Sequence, residues 1–272
     1  MKHKQNLHTH TTYVDGKDRP EEILLRALER GMEGIGFSEH AYIPYSEYPR
    51  QLTAEKMEQY REEILDLKKK YAGRIDVFCG LEYDFYSELE TDRMDYLIGS
   101  VHYLACGEEI KSFDYGLEKT LDYIRDYFDG DPMRFAKAYF ETVARFPEKK
   151  KVDVLGHFDL IVKNNEMGRF LDVGSKAYLD LGLEAIHALK GRIPLFEVNT
   201  GAISRGYTSS PYPQIEFLKE LRDCGFGAVI TSDCHNMEFL DCRFEEAELL
   251  LREAGFRSKW ILTDGGFREV DL

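Results

Sequence analysis

Short apolar runs recur along the 272-residue chain near positions 5–9, 34–38, 76–83, 96–101, 152–156, 195–199 and 227–232. Each has the length of a strand, and amphipathic stretches separate them. The segment RPEEILLRALERG carries Pro20 near its start and Gly31 at its end, the asymmetry that helix termini favour. In the segment 53–73, Thr53 sits at an N-cap position and Gly73 at the stop. Between them Met57, Tyr60, Ile64, Leu67 and Tyr71 repeat at helical spacing. Further helices are predicted over 115–129, 131–146, 173–191, 213–224 and the stretch opening FEEAELL at 244. Seven strands separated by helices predict parallel βα units, closed or nearly closed into a barrel; an open α/β sheet is the alternative. No repeat or low-complexity linker divides the chain, so residues 1–272 are expected to form one unit.

The polar residues fall at one end of these runs. The first run ends in His8 and His10, with Asp15 soon after, the second in His40, and the third holds Glu82. The fourth ends in His102, the fifth in His157, and the seventh in Asp233 and His235. Barrels and open α/β sheets both build their sites at the carboxyl edge of the strands. Residues i and i+2 of a strand share a face, so His8 with His10, and Asp233 with His235, can reach one centre. Imidazole and carboxylate together suit zinc, iron or manganese. Nine such groups exceed the needs of one tetrahedral ion and predict two or three divalent ions, with magnesium a further option. Burying so many polar groups without a cation would be costly. His3, near the chain start, and His187, within a helical stretch, are read as structural or solvent-facing.

Composition narrows the rest. The net charge of −14, from 36 basic and 50 acidic side chains, argues against long nucleic acid as a partner. No apolar run is long enough to span a membrane, and the polar start MKHKQNLHTH does not read as a secretory leader. Five cysteines without a CxxC pair predict a reducing, cytoplasmic setting without a disulfide framework. No obligate protein partner is evident.

The ordered set HTH at 8–10, Asp15, EH at 39–40, GLE at 80–82, SVH at 100–102, GH at 156–157 and SDCH at 232–235 resembles the polymerase-and-histidinol-phosphatase (PHP) superfamily. The resemblance spans nearly the whole chain and implies a distorted seven-stranded (β/α) barrel with up to three ions at its carboxyl face. By that likeness His8, His10, Glu82 and Asp233 would hold one ion. Glu82, His102 and His157 would hold a second, and Asp15, His40 and His235 a third. Many relatives have histidine where this chain has Asp15.

Within the superfamily the length, the helical insertion near 107–151 and the stretch FEVNTGAISRG resemble the histidinol-phosphate phosphatases. The likeness sets Arg205 against a substrate phosphate. It offers Lys163 as a second basic contact, and Asn199 as either a loop support or a substrate contact. The implied reaction is hydrolysis of a small phosphate monoester, L-histidinol phosphate of histidine biosynthesis, by a metal-activated hydroxide. Asp233 and His235 are the acid candidates beside the leaving group, although both are also wanted as ligands. Tyr13, Tyr42, Tyr45 and Tyr103, just beyond strand ends, are candidates to surround an imidazole. Two rival readings are a phosphoesterase of the same superfamily acting on a nucleotide, an oligonucleotide end or a sugar phosphate, and a noncatalytic metal-dependent binding module.

Overall fold

A computed structural model describes residues 2–48 and 50–272. Its main sheet has seven parallel strands: β1 (Gln5–Asn6), β2 (Gly34–His40), β3 (Asp76–Asp84), β4 (Tyr96–Ser100), β7 (Val154–Leu155), β8 (Leu195–Asn199) and β9 (Gly227–Thr231), neighbouring in that order. Beyond the formal strands, the chain after β9 meets the chain after β1. Thr9 bridges Cys234, with His10 N–H donating to the Cys234 carbonyl and Cys234 N–H to the His8 carbonyl. The sheet is therefore a nearly closed barrel, as the alternation of strands and helices predicts.

The inner face of each strand changes character along its length. Leu7, Phe78, Tyr96, Ile98, Val154, Leu195 and Val229 form an apolar plug inside the barrel. Tyr96 fills much of it: a Cβ added at Gly80 would lie 2.4 Å from the Tyr96 ring, so only glycine admits that ring against the backbone. Two residues further along the same faces stand polar groups, such as Glu82 beyond Gly80, Glu197 beyond Leu195 and Thr231 beyond Val229. A second, larger apolar core lies between the strands and the helices outside them. Met57, Tyr60, Ile64 and Leu67 of the helix Ala54–Lys70, and Tyr71 at its C-cap, all join it, which is what their spacing predicts.

Helices Leu117–Tyr127 and Pro132–Ala144 occupy the insertion between β4 and β7. Two hairpins were not anticipated. Strands β5 (Tyr103–Cys106) and β6 (Glu109–Ser112) pair antiparallel just after His102. Strands β10 (Ser258–Thr263) and β11 (Gly266–Asp271) close the amino end of the barrel. There Leu262 joins the inner plug, and Gln5 exchanges two hydrogen bonds with the Leu262 backbone. No helix among the described residues is long and apolar enough to cross a membrane.

Candidate metal centre

The polar layer above the plug gathers buried charged side chains, among them Glu82, Glu197 and Asp233. β3 places Glu82 level with His40 of β2. His8 and His10 follow β1, and His102 and His157 follow β4 and β7. Asp15 returns to the site on a turn closed by Gly16, whose N–H donates to the Thr11 carbonyl at 2.9 Å. A Cβ at Gly16 would stand 2.2 Å from the His10 carbonyl oxygen, so the turn requires glycine. Asp233 adopts a left-handed backbone, φ 44°, a conformation seldom kept outside functional sites.

All nine side chains face one another. His8 Nε2 is 3.4 Å from Glu82 Oε2 and 3.7 Å from Asp233 Oδ1, and His10 Nε2 is 3.5 Å and 3.2 Å from the same two atoms. Glu82 Oε1 lies 3.4 Å from His102 Nε2 and 2.9 Å from His157 Nε2, with the two ring nitrogens 3.2 Å apart. Asp15 Oδ2 lies 3.5 Å from His40 Nε2 and 3.2 Å from His235 Nε2. Glu82 Oε2 also reaches His40 Nδ1 at 2.7 Å, so this carboxylate touches five imidazoles.

These contacts suit cations better than they suit each other. Nitrogen and oxygen donors held at about 2.1 Å around a tetrahedral ion stand ~3.4 Å apart, the separations found here. His8 Nε2, both nitrogens of His10 and Asp15 Oδ1 are buried and lack any hydrogen-bond partner. Such orphans are expensive unless an ion takes them. Three of these groups each offer atoms within 4.8 Å of one another: His8, His10 and Asp233; His10, Asp15, His40 and His235; and His40, Glu82 and His102. The cluster can therefore hold divalent metal ions.

Its electrostatics point the same way. Burial opposes a charge on Glu82, yet His40, His8 and His102 hold its carboxyl well below the usual range. Burial likewise opposes protonation of His8, but Glu197, Glu82 and Asp233 outweigh it and raise that imidazole well above 6.5. His40 is raised in the same way by Glu82 and Asp15 against its own burial. His10 goes the other way, pushed down to about 3 by burial and by His235 and His40. Protons on His8 and His40 thus offset carboxylate charge that a bound cation would otherwise offset.

Residues 6–201 match the PHP domain family. The chain belongs to the PHP family. Among its PHP relatives, a "Probable histidinol-phosphatase" of Deinococcus radiodurans is 26% identical over 88% of this chain and 88% of that protein. A "Histidinol-phosphatase" of Bacillus subtilis is 24% identical over 85% of this chain and 93% of that one. The crystal structure of a histidinol phosphate phosphatase from Lactococcus lactis, complexed with zinc, L-histidinol and phosphate, superposes with a TM-score of 0.72. It is 19% identical and covers 98% of this chain and 99% of its own, which shows the shared PHP fold.

The remaining predicted residues lie around this centre. Arg205 follows a one-turn helix, Gly201–Ser204, where the sequence reads only as loop. Its loop leaves β8 and returns to it through paired backbone bonds between Asn199 and Tyr212. Its Nη2 donates to Asp233 Oδ2 at 2.8 Å and its Nη1 to the Asp233 carbonyl at 3.0 Å, while its Nε is buried and free. Asn199 is fully buried, donating to Glu197 Oε1 and accepting from Gly201 N–H, so it ties the loop to β8. Lys163 Nζ sits 2.6 Å from Asp114 Oδ1 and above the Tyr207 ring. Glu39, beside His40, instead accepts from Thr11 N–H, and burial pushes its carboxyl up to about 8. His3 and His187 pair with Glu33 and Glu220, away from the centre.

Two supporting carboxylates escaped the sequence reading. Glu197 accepts four hydrogen bonds: from His8 Nδ1 (2.9 Å), the His157 backbone (2.7 Å), Asn199 Nδ2 (2.8 Å) and Thr231 Oγ1 (2.8 Å). Asp84 accepts from the His102 backbone at 2.7 Å and lies 3.3 Å from its Nδ1. A charged residue inside the apolar run LFEVN was the visible sign of Glu197.

A cavity of about 460 Å³ opens from Asp15, His40 and His102 toward Tyr103, Asp114 and Tyr115. That volume suits a small molecule.

Proposed function

We propose that this protein hydrolyses L-histidinol phosphate to L-histidinol and phosphate. The observation that carries the reading is the convergence of nine candidate ligand side chains, with Arg205 bound to one of them, Asp233; three of the nine, Asp15, His40 and His102, also line a small cavity that Tyr48, Tyr103 and Tyr115 share. The two curated relatives described above, both named as histidinol-phosphatases, support the substrate.

His8, His10, Glu82 and Asp233 would hold one ion, Glu82, His102 and His157 a second, and Asp15, His40 and His235 a third. The donors are nitrogen and oxygen without sulfur, which suits zinc, iron or manganese. Bound divalent ions supply Lewis acidity toward phosphoryl oxygens and a water acidic enough to act as nucleophile near neutral pH.

The chain's own groups position the ester. Arg205 is a planar donor beside the centre with Nε still free, so it can take a phosphoryl oxygen while Nη2 keeps Asp233 in place. Glu197 holds His8 with Nδ1–H donating, which leaves Nε2 as the ligand atom. Asp233 stays ionised, because Arg205 and His8 outweigh the effect of its burial. His235 has its nitrogens directed at the Asp233 carbonyl and at Asp15. Neither is free to protonate the leaving alkoxide.

The deciding experiment assays purified protein, loaded with each metal in turn, on histidinol phosphate, mononucleotides and a short single-stranded DNA. Highest kcat/KM on histidinol phosphate is expected; a preference for nucleotide or DNA would refute the substrate. His10→Ala should lose bound metal together with turnover.

A further inference from the structure

The hairpin β5–β6 sends the chain away from His102 and brings it back at Phe113, whose N–H donates to the His102 carbonyl at 3.1 Å. Asp114 is thereby set at the border between the metal centre and the cavity, whose wall it helps to form. One of its oxygens takes Lys163 at 2.6 Å, and its side chain remains about one quarter exposed. The other oxygen makes no further side-chain hydrogen bond among the described residues. Burial opposes its charge, but Lys163, His102 and Arg205 keep the carboxyl down at about 2. A permanent anion thus stands beside a fixed cation, one step from the centre where the phosphate is expected. The Tyr207 ring lies beneath Lys163, 4.7 Å from Nζ, and steadies the pair. Tyr103 and Tyr115 add aromatic surface to the same cavity wall.

A carboxylate adds nothing to holding a phosphate and repels it. Its place beside the centre is explained by a positive charge on the substrate itself. In histidinol phosphate the ammonium sits on the carbon next to the one bearing the phosphate ester, and the imidazole lies beyond. An anion, a cation and a ring on the substrate find counterparts here in the metal centre, which Asp15, His40 and His102 present to the cavity, in Asp114, and in Tyr103 and Tyr115. We propose that Asp114, presented by its pairing with Lys163, selects phosphate monoesters that carry an ammonium group on the carbon adjacent to the ester carbon. This rests on the proposed phosphatase reading and identifies the residue that sets its specificity.

The test deletes the charge on each side of the contact. Wild type and Asp114→Asn are assayed on histidinol phosphate and on its deamino analogue, 3-(imidazol-4-yl)propyl phosphate. A second pair, phosphoethanolamine and ethyl phosphate, carries the same change without the ring. A charge-assisted hydrogen bond predicts that wild type prefers each ammonium ester by at least about tenfold in kcat/KM. The preference should shrink to about twofold or less in Asp114→Asn, and Asp114→Glu should restore part of it. A purely structural Lys163–Asp114 pair would lower turnover of all four esters together and leave both ratios unchanged, and that result would overturn the proposal. Metal content, measured alongside, must stay at the wild-type level for the ratios to count in its favour; loss of metal in Asp114→Asn would place the residue with the ligands instead. If histidinol phosphate is a poor substrate while phosphoethanolamine is still preferred through Asp114, the substrate reading falls and the specificity role stands.

Discussion

Replacing Glu197 with glutamine tests how far a residue that binds no ion itself sets the ion affinity. Each Glu197 oxygen accepts two donors: Oε2 takes His8 Nδ1–H and Thr231 Oγ1–H, and Oε1 takes the His157 backbone N–H and Asn199 Nδ2–H. A glutamine replaces one oxygen with an NH2 group that faces two donors. If it faces His8, that ring must turn its proton to Nε2, the atom directed at Glu82 and Asp233, and the ligand is lost. If it faces His157, a buried backbone N–H is left without an acceptor, and Asn199 can adjust only by giving up Gly201. In that second orientation two buried N–H groups, of His157 and Gly201, are orphaned at ~1–3 kcal/mol each, which lowers the stability of metal-free protein by about 2–6 kcal/mol. Loss of a carboxylate behind a ligating histidine costs roughly 10–100-fold in metal affinity. Equilibration against graded chelator buffers, followed by elemental analysis, measures that affinity, and circular dichroism checks the fold. Wild-type affinity and stability in Glu197→Gln would refute the hydrogen-bond accounting. Glu197→Asp, which keeps the charge on a shorter stem, should fall between the two.

Other outcomes follow from the same geometry. Arg205→Ala should lower kcat/KM by about 10–10², the worth of one charge-assisted bond to phosphate, while metal is retained because a competing cation beside Asp233 is gone; loss of metal in this variant would overturn the assigned role. The raised imidazoles His8 and His40 stabilise metal-free protein below their unfolded value of 6.5, and that contribution is lost as pH rises through their higher folded values. Bound ions must displace those protons, so the gap in melting temperature between metal-loaded and metal-free protein should widen from pH 6 to pH 8, and a constant gap would count against the charge balance. Asp159 is buried with its carboxyl raised to about 7, so its contribution to stability is full below 3.8 and lost as pH rises to about 7. Asp159→Asn should therefore gain on wild type above pH 7, by at most about 4 kcal/mol in denaturant titrations, and an equal pH profile for both proteins would contradict the raised value.

The strands and their polar ends were legible because both follow simple periods. Phe78, Gly80 and Glu82 alternate with outward residues, and the change from apolar to charged along that face can be read from one dimension. The helix 54–70 was equally plain from its apolar spacing. The pairing of distant residues was less visible. Glu197 looked like part of a strand, and only the barrel brings His8 and His157 to it. Asp114 sits in the insertion with nothing local to distinguish it, because its meaning comes from Lys163, 49 residues away. The terminal hairpin did leave a trace: Asp264 and Gly265 lie between two runs of strand-forming residues, a turn pattern that the reading passed over.

The barrel is joined most thinly where its first and last parallel strands meet, at the single bridge between Thr9 and Cys234. His8 and His10 stand on one side of that seam, and Asp233 and His235 on the other. A cation shared across it would work as a clasp between segments that lie 220 residues apart at Asp15 and His235. Chelation should loosen this joint before any other part of the molecule, with hydrogen exchange quickening first at residues 8–10 and 232–235, so that loading the site and fastening the barrel are one event.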